Sequence, residues 1–244
     1  MNMEWKTLAP EGRPCLAARV GSRGPAFYWF VSEREAARAQ ELCRAAAEAV
    51  QSPCLLALCV VKDWNRELSP WAAPAAFRGG EDFAGGGAST LKWLQTVYLP
   101  AAEEGWQTTA RFLCGYSLAG LFCLWGYYES GGAFGGAACC SGSLWYPGWE
   151  EYAARRAVFP GGRLYLSLGE TEERARNPVL SKVGDAVRAQ FARIQADPNT
   201  ACCALQWHPG GHFDHPAERT AEGLLWLMRA AYCKRRSTKD RPAG

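Results

Sequence analysis

The chain has 244 residues, 48% of them hydrophobic and 21% charged, and a formal net charge of +3. Such a composition belongs to a folded globular protein rather than a disordered one, and without a basic stripe interleaved with aromatics it excludes nucleic acid as the main partner. No apolar run approaches the ~20 residues of a membrane span, and the first fifteen residues lack the basic-then-apolar pattern of a secretory signal, so the expected setting is the cytoplasm.

PCLAARV (14–20) and AFYWFVS (26–32) read as opening strands, joined by GSRGP as a hairpin. SEREAARAQELCRAAAEAVQ (32–51) reads as a helix with Ser32 as cap and Glu35 three residues later. PCLLALCVV (53–61) is a continuous apolar strand, of the kind buried on both faces. The stretch 62–89, KDWNRELSPWAAPAAFRGGEDFAGGGAS, carries too much Gly and Pro for regular structure. Loops of that length are functional or disordered, and aromatics such as Trp64 and Trp71 argue for function. Within it, FAGGGAST lacks the following Lys and the preceding strand of a phosphate loop.

A helix opens near Ser89 and runs to about Gly105, with Pro100 breaking it late. TARFLCG (109–115) is a strand leading straight into an apolar helix at 118–130. Further strands are expected at 135–140, 162–169 and 201–207, with helices at 177–196 and 216–233. Strands alternating with helices predict an α/β fold: a mostly parallel sheet with helices on both faces, in one domain over 1–233. The residues 234–244 form a basic, solvated tail.

The chain holds eleven cysteines and no C-x-x-C. Cys139–Cys140 and Cys202–Cys203 fall on strands, where neighbours face opposite sides, which suits packed, reduced thiols better than a shared metal.

The segment GYSLAG (115–120) lies where strand turns into helix. A serine nucleophile on such a turn needs small residues two places either side, and Gly115 and Ala119 meet that need. Ser89, the other serine with glycine two places before it, has Leu91 two places after. The alternative for Ser117 is an ordinary helix cap. A serine hydroxyl needs a base, and all three histidines lie in HPGGHFDH (208–215), after the last strand. His212 is the best candidate, since Gly210 and Gly211 let the loop swing the ring over the strand ends. His208 is second, and His215, before Pro216, is a capping neighbour. The acid that fixes the imidazole belongs beyond the strand between serine and histidine. Glu170, Glu172 and Glu173 all lie there; position favours Glu172, three residues after the strand's closing glycine. A metal site on the histidines lacks supporting carboxylates or thiolates, so neither metal nor organic cofactor is expected.

An oxyanion hole takes two backbone amides. Leu118 would give one, and the loop after the strand ending at Val61, around Asp63, Trp64 and Asn65, the other, with Trp64 nominated. Asn65, Trp71, Tyr116 and Trp145 are the candidate substrate-binding residues, since loops at the carboxyl ends of strands form the ligand crevice.

With GYSLAGLF, SGSLWYPG, LSLGETEERARNP and GGHFDHPAERTAEGLLWL in view, the sequence resembles the putative-esterase group of the α/β-hydrolases, related to esterase D and the siderophore (enterobactin-type) esterases. The likeness runs from about Trp64 to Trp226 and includes KDWNRELSPW. It implies an α/β-hydrolase fold, hydrolysis of a small-molecule ester, Ser117 as nucleophile, His212 as base and Glu172 at the acid position. The sequence departs from the group at Ala119, where many members carry Gly, and in having Glu for Asp. Some siderophore esterases work mainly through a Ser–His pair. The short connection between the strands at 135–140 and 162–169 leaves no room for a large lid domain, so the expected substrates are soluble, bulky or aromatic esters. Acyl transfer by the same residues, or ligand binding without turnover, are the other classes compatible with the pattern.

Overall fold

The computed structural model describes residues 3–232, so the tail 234–244 and Cys233 lie outside the described residues. Its elements, in chain order, are β1 (Trp5–Leu8), β2 (Cys15–Val20), β3 (Arg23–Ser32), α1 (Ala36–Val50), β4 (Cys54–Val61) and α2 (Trp64–Glu67). A short pair, β5 (Ala72–Ala73) and β6 (Phe83–Ala84), precedes α3 (Gly87–Trp93), α4 (Leu99–Glu103), β7 (Gln107–Tyr116) and α5 (Leu118–Glu129). The rest are β8 (Gly136–Cys140), α6 (Trp149–Ala153), β9 (Gly162–Gly169), α7 (Val183–Ala196), β10 (Thr200–His208) and α8 (Pro216–Tyr232).

Eight strands form one sheet in the order β1-β2-β4-β3-β7-β8-β9-β10. β1–β2 and β2–β4 pair antiparallel, and every pair from β4 to β10 is parallel. The expected hairpin of the first two strands is therefore absent: β4 lies between β2 and β3, with Val20 opposite Cys54. The cause is hydrophobicity. β3 is buried on both faces and must sit inside the sheet, whereas β2 is partly exposed and serves near its edge. Gly24 lets β3 pass close to β4, since a Cβ there would lie 2.5 Å from the Pro53 carbonyl oxygen.

The two sheet faces carry separate cores. Along β3, Ala26, Tyr28 and Phe30 enter one with α3 to α7, while Phe27, Trp29 and Val31 enter the other with α1 and α8. Period-two alternation produces this division. Cys139 and Cys140 obey the same rule, one in each core. Burial raises the pKa of Cys15 to about 11 and of Cys54 to about 12, so those thiols stay protonated.

Two helix boundaries differ from expectation. Ser32 is still strand, and Glu35 bonds back to its amide and hydroxyl (3.1 and 2.7 Å) before α1 begins at Ala36. Pro100 does not break its helix: a π-helical turn at Leu94–Tyr98 loosens the backbone ahead of it, and α4 continues to Glu103. Between β8 and β9 the only regular element is α6. Among the described residues no helix is long and apolar enough to cross a membrane.

Candidate active site

Ser117 stands between β7 and α5 with φ +57° and ψ −123°, a conformation costing a non-glycine residue about 1–3 kcal/mol. The surroundings hold it there. Its amide donates to the Cys140 carbonyl (3.0 Å), and its carbonyl accepts from the Leu121 and Ser143 amides (3.0 and 3.1 Å). α5 then packs so closely on β7 that a Cβ at Gly115 would lie 2.6 Å from the Ala119 backbone. Gly115→Ala is therefore expected to destabilise the protein by about 1–3 kcal/mol, through overpacking. Denaturant unfolding tests this, and an unchanged midpoint would contradict the tight turn.

β10 ends at His208, and the loop behind it brings His212 to Ser117, with Nε2 2.9 Å from Oγ. Gly210 takes φ +90°, where a Cβ would also strike Asp214. On the other side of the ring, Nδ1 lies 2.7 Å from Glu172 Oε2. Glu172 is buried, and its Oε1 accepts from the Ser141 hydroxyl (2.7 Å) and the Gly169 amide (2.8 Å). Burial alone would raise its pKa; the hydrogen bonds from His212, Ser141 and Gly169 outweigh that and hold the carboxyl below its usual value. Its stabilising contribution is present above the ordinary carboxylate pKa and is lost as pH falls through the lowered one.

The other candidates fall elsewhere. Glu170 is exposed, and Glu173 pairs with Arg188 at 2.8 Å. His208 is buried near Tyr165 and Glu222, burial lowers its pKa, and it makes no contact with Ser117. His215 has φ +55°, and its carbonyl accepts from the Arg219 amide, which makes it the residue capping α8. Among the described residues no group of three or more His, Cys, Asp or Glu could hold a metal ion.

No family model matches the chain. It is 26% identical over 193 residues to the uncharacterized protein YbbA of Bacillus subtilis (strain 168), covering 75% of this chain and 76% of that one. Among solved structures it resembles the siderophore hydrolase EstA of Aspergillus nidulans (TM-score 0.75, 16% identity, covering 94% of this chain and 95% of that one). It also resembles an IroE-like serine hydrolase of Shewanella oneidensis (TM-score 0.78, 16% identity, covering 93% and 80%). The chain has the α/β-hydrolase fold.

In the α/β-hydrolase fold the second oxyanion amide comes from the loop after the third strand. Here the strand beside β7 is β3, and β4 lies one place further out. The expectation that the strand ending at Val61 leads into that loop is thus corrected by the strand order, which gives the place to the turn Ser32–Glu35. Trp64 still reaches the serine as a wall. Two cavities meet at Ser117, of about 430 and 260 Å³, and both are lined by Trp64, Ser117, His212 and Phe213. Asn65, Leu118 and Trp145 line the larger one, Tyr116 the smaller. Trp71 lines neither: its indole N–H donates to the Pro147 carbonyl (2.8 Å), and its ring packs on Tyr146 and Tyr152. The Pro147 carbonyl and the rings of Tyr146 and Tyr152, all outside the two cavities, account for that placement.

Sequence reasoning missed Arg219. It is 3% exposed, and its guanidinium donates to the carbonyls of Pro209 and Gly211 while lying 3.5 Å from Glu172 Oε1. The Tyr116 hydroxyl, kept protonated because burial raises its pKa to about 12, donates to the His212 carbonyl at 2.7 Å. The Thr171 amide binds the Gly210 carbonyl (3.1 Å). Every carbonyl from Pro209 to His212 is thus held, which fixes the imidazole between its partners. Ser141 was missed too, although the SGS following β8 offered a small polar residue at the right sheet edge.

Proposed function

We propose that the protein is a serine hydrolase that cleaves a carboxylic ester through an acyl-enzyme intermediate. The observation that carries this reading is the unbroken run Ser117 Oγ–His212 Nε2 (2.9 Å) and His212 Nδ1–Glu172 Oε2 (2.7 Å), built on a strained turn. A helix cap or a binding module has no need of that run. The siderophore and serine hydrolases among its structural neighbours support the same chemistry.

Glu172 fixes the tautomer that carries its proton on Nδ1, leaving Nε2 free to accept. His212 takes the Ser117 proton as Oγ attacks the ester carbonyl, and returns it to the departing alkoxide. Water, deprotonated by the same nitrogen, then attacks the acyl-enzyme and releases the acid. The two cavities supply room for the two halves of the ester, one on each side of Ser117, with Trp145 and Asn65 on the wall of the larger.

The oxyanion meets the Leu118 amide, which as the first residue of α5 has no intrahelical acceptor. For the second donor the strand order favours an amide of the Ser32–Glu35 turn over that of Trp64. Trp64 opens α2 and follows Asp63 in extended conformation, a position that tolerates proline. Trp64→Pro is therefore expected to match Trp64→Ala in kcat. A further fall of about 10²-fold or more in the proline variant would return the donor to Trp64. The reading as a whole is tested by turnover of a nitrophenyl ester panel: hydrolysis that falls by about 10⁵-fold or more in Ser117→Ala supports it, and no hydrolysis by the intact protein argues against it.

A further inference from the structure

We infer that the smaller cavity beside Ser117 is a subsite for a cationic group of the substrate, an alkylammonium or quaternary ammonium, with Glu35 as its counter-ion. The inference rests on the ester-hydrolase reading and names the substrate class it would serve.

The cavity runs from Ser117 and His212 between the carboxyl end of β3 and the first turn of α8. Trp64, Tyr116 and Phe213 give its wall an aromatic part, while Trp29 and Phe30, which also border it, keep their rings in the two cores. Phe213 is 90% exposed, an unusual state for a phenylalanine, and stacks edge-on against His212 at the junction of the two cavities. Aromatic walls attract cations through the ring quadrupole, and they do so most when the site is partly dry.

Glu35 is the one acidic side chain in that wall, neither Lys nor Arg stands in it, and the catalytic His212 is its one basic group. Among the described residues it forms no ion pair: Arg38, one turn further on, is engaged by Glu41 and Glu218. Its orientation is fixed, because Oε2 accepts from both the amide and the hydroxyl of Ser32. That contact is half of a capping box, a role glutamine fills equally well, so the cap does not explain the charge. The remaining polar wall is acceptor-rich. The Ser32 hydroxyl donates to Glu35, and the Thr220 hydroxyl donates to the Pro216 carbonyl, so each offers lone pairs to the cavity. The larger cavity differs in this respect. Its carboxylate, Glu172, is fully engaged by His212, Ser141, Gly169 and Arg219. A neutral or anionic group would leave Glu35 without a counter-charge, while a cation would pair with it beside Trp64, Tyr116 and Phe213.

Matched pairs test this, since trimethylammonium and tert-butyl groups have the same shape and differ in charge. For the alcohol half the pair is benzoylcholine and 3,3-dimethylbutyl benzoate. For the acyl half it is the nitrophenyl esters of 4-(trimethylammonio)butanoic and 5,5-dimethylhexanoic acids. In one of the two pairs the cation is expected to have a kcat/KM about tenfold above its neutral isostere. Glu35→Gln, which keeps the bond to Ser32, should bring that ratio to about one. Ratios at or below one in both pairs, or a ratio that Glu35→Gln leaves unmoved, would overturn the inference. If no ester is turned over at all, the hydrolase reading fails and choline binding by calorimetry decides separately. Binding that is lost in Glu35→Gln supports the subsite; no binding by the intact protein overturns it.

Discussion

His212→Ala is expected to lower kcat for a nitrophenyl ester by about 10⁵–10⁶-fold, as much as Ser117→Ala and as much as the two together. The base and the nucleophile act as one unit. Without the imidazole, the Ser117 hydroxyl keeps its proton, and its nearest hydroxyl neighbour, Ser143 Oγ at 3.5 Å, is no base. Residual rate over water should persist in all three variants, because the Leu118 amide and the cavities are untouched. KM should change little, since a truncated imidazole leaves both cavity walls standing. Steady-state kinetics on the three variants checks this. Losses that multiply in the double variant would mean that the two residues act independently.

Glu172→Gln should cost about 10⁴-fold in kcat, and the reason is the wrong tautomer rather than a lost charge alone. Glu172 Oε1 accepts from two fixed donors, the Ser141 hydroxyl and the Gly169 amide. Glutamine must turn its carbonyl oxygen toward them, so its NH₂ faces His212 Nδ1. That nitrogen then becomes an acceptor, the ring proton moves to Nε2, and the base faces Ser117 already protonated. Glu170→Gln should stay near the parent rate, because that side chain is exposed. Equal losses in the two variants would remove Glu172 from the relay, and a loss under tenfold would point to a Ser117–His212 pair working alone.

Much of this site was legible because it depends on local order. A strand, GYSLAG and an apolar helix follow one another in the chain, and the strain at Ser117 is relieved only by small neighbours, which the sequence displays. The choice among Glu170, Glu172 and Glu173 was narrowed by spacing, and the side chains diverge as the chain leaves β9: one outward, one inward, one to Arg188. What stayed hidden depends on pairing between distant segments. PCLAARV and AFYWFVS adjoin in sequence, yet the double-sided hydrophobicity of β3 draws it past β4, and the same crossing changes which loop follows the strand beside β7. Arg219 looks like one more polar residue on an amphipathic helix; only the docking of α8 beneath the His212 loop buries it. Trp71 resembled a cavity wall by its place in an aromatic loop, but the Pro147 carbonyl takes its indole N–H. Phe213 and Glu35 gain meaning only when β3 and α8 enclose a cavity between them.

Fluorophosphonate labelling, followed by peptide mass mapping, tests the central claim most directly. A single phosphonate adduct on Ser117, absent from Ser117→Ala and strongly slowed in His212→Ala, is the predicted result. Labelling that persists in Ser117→Ala, or an intact protein that takes up no label, would contradict it.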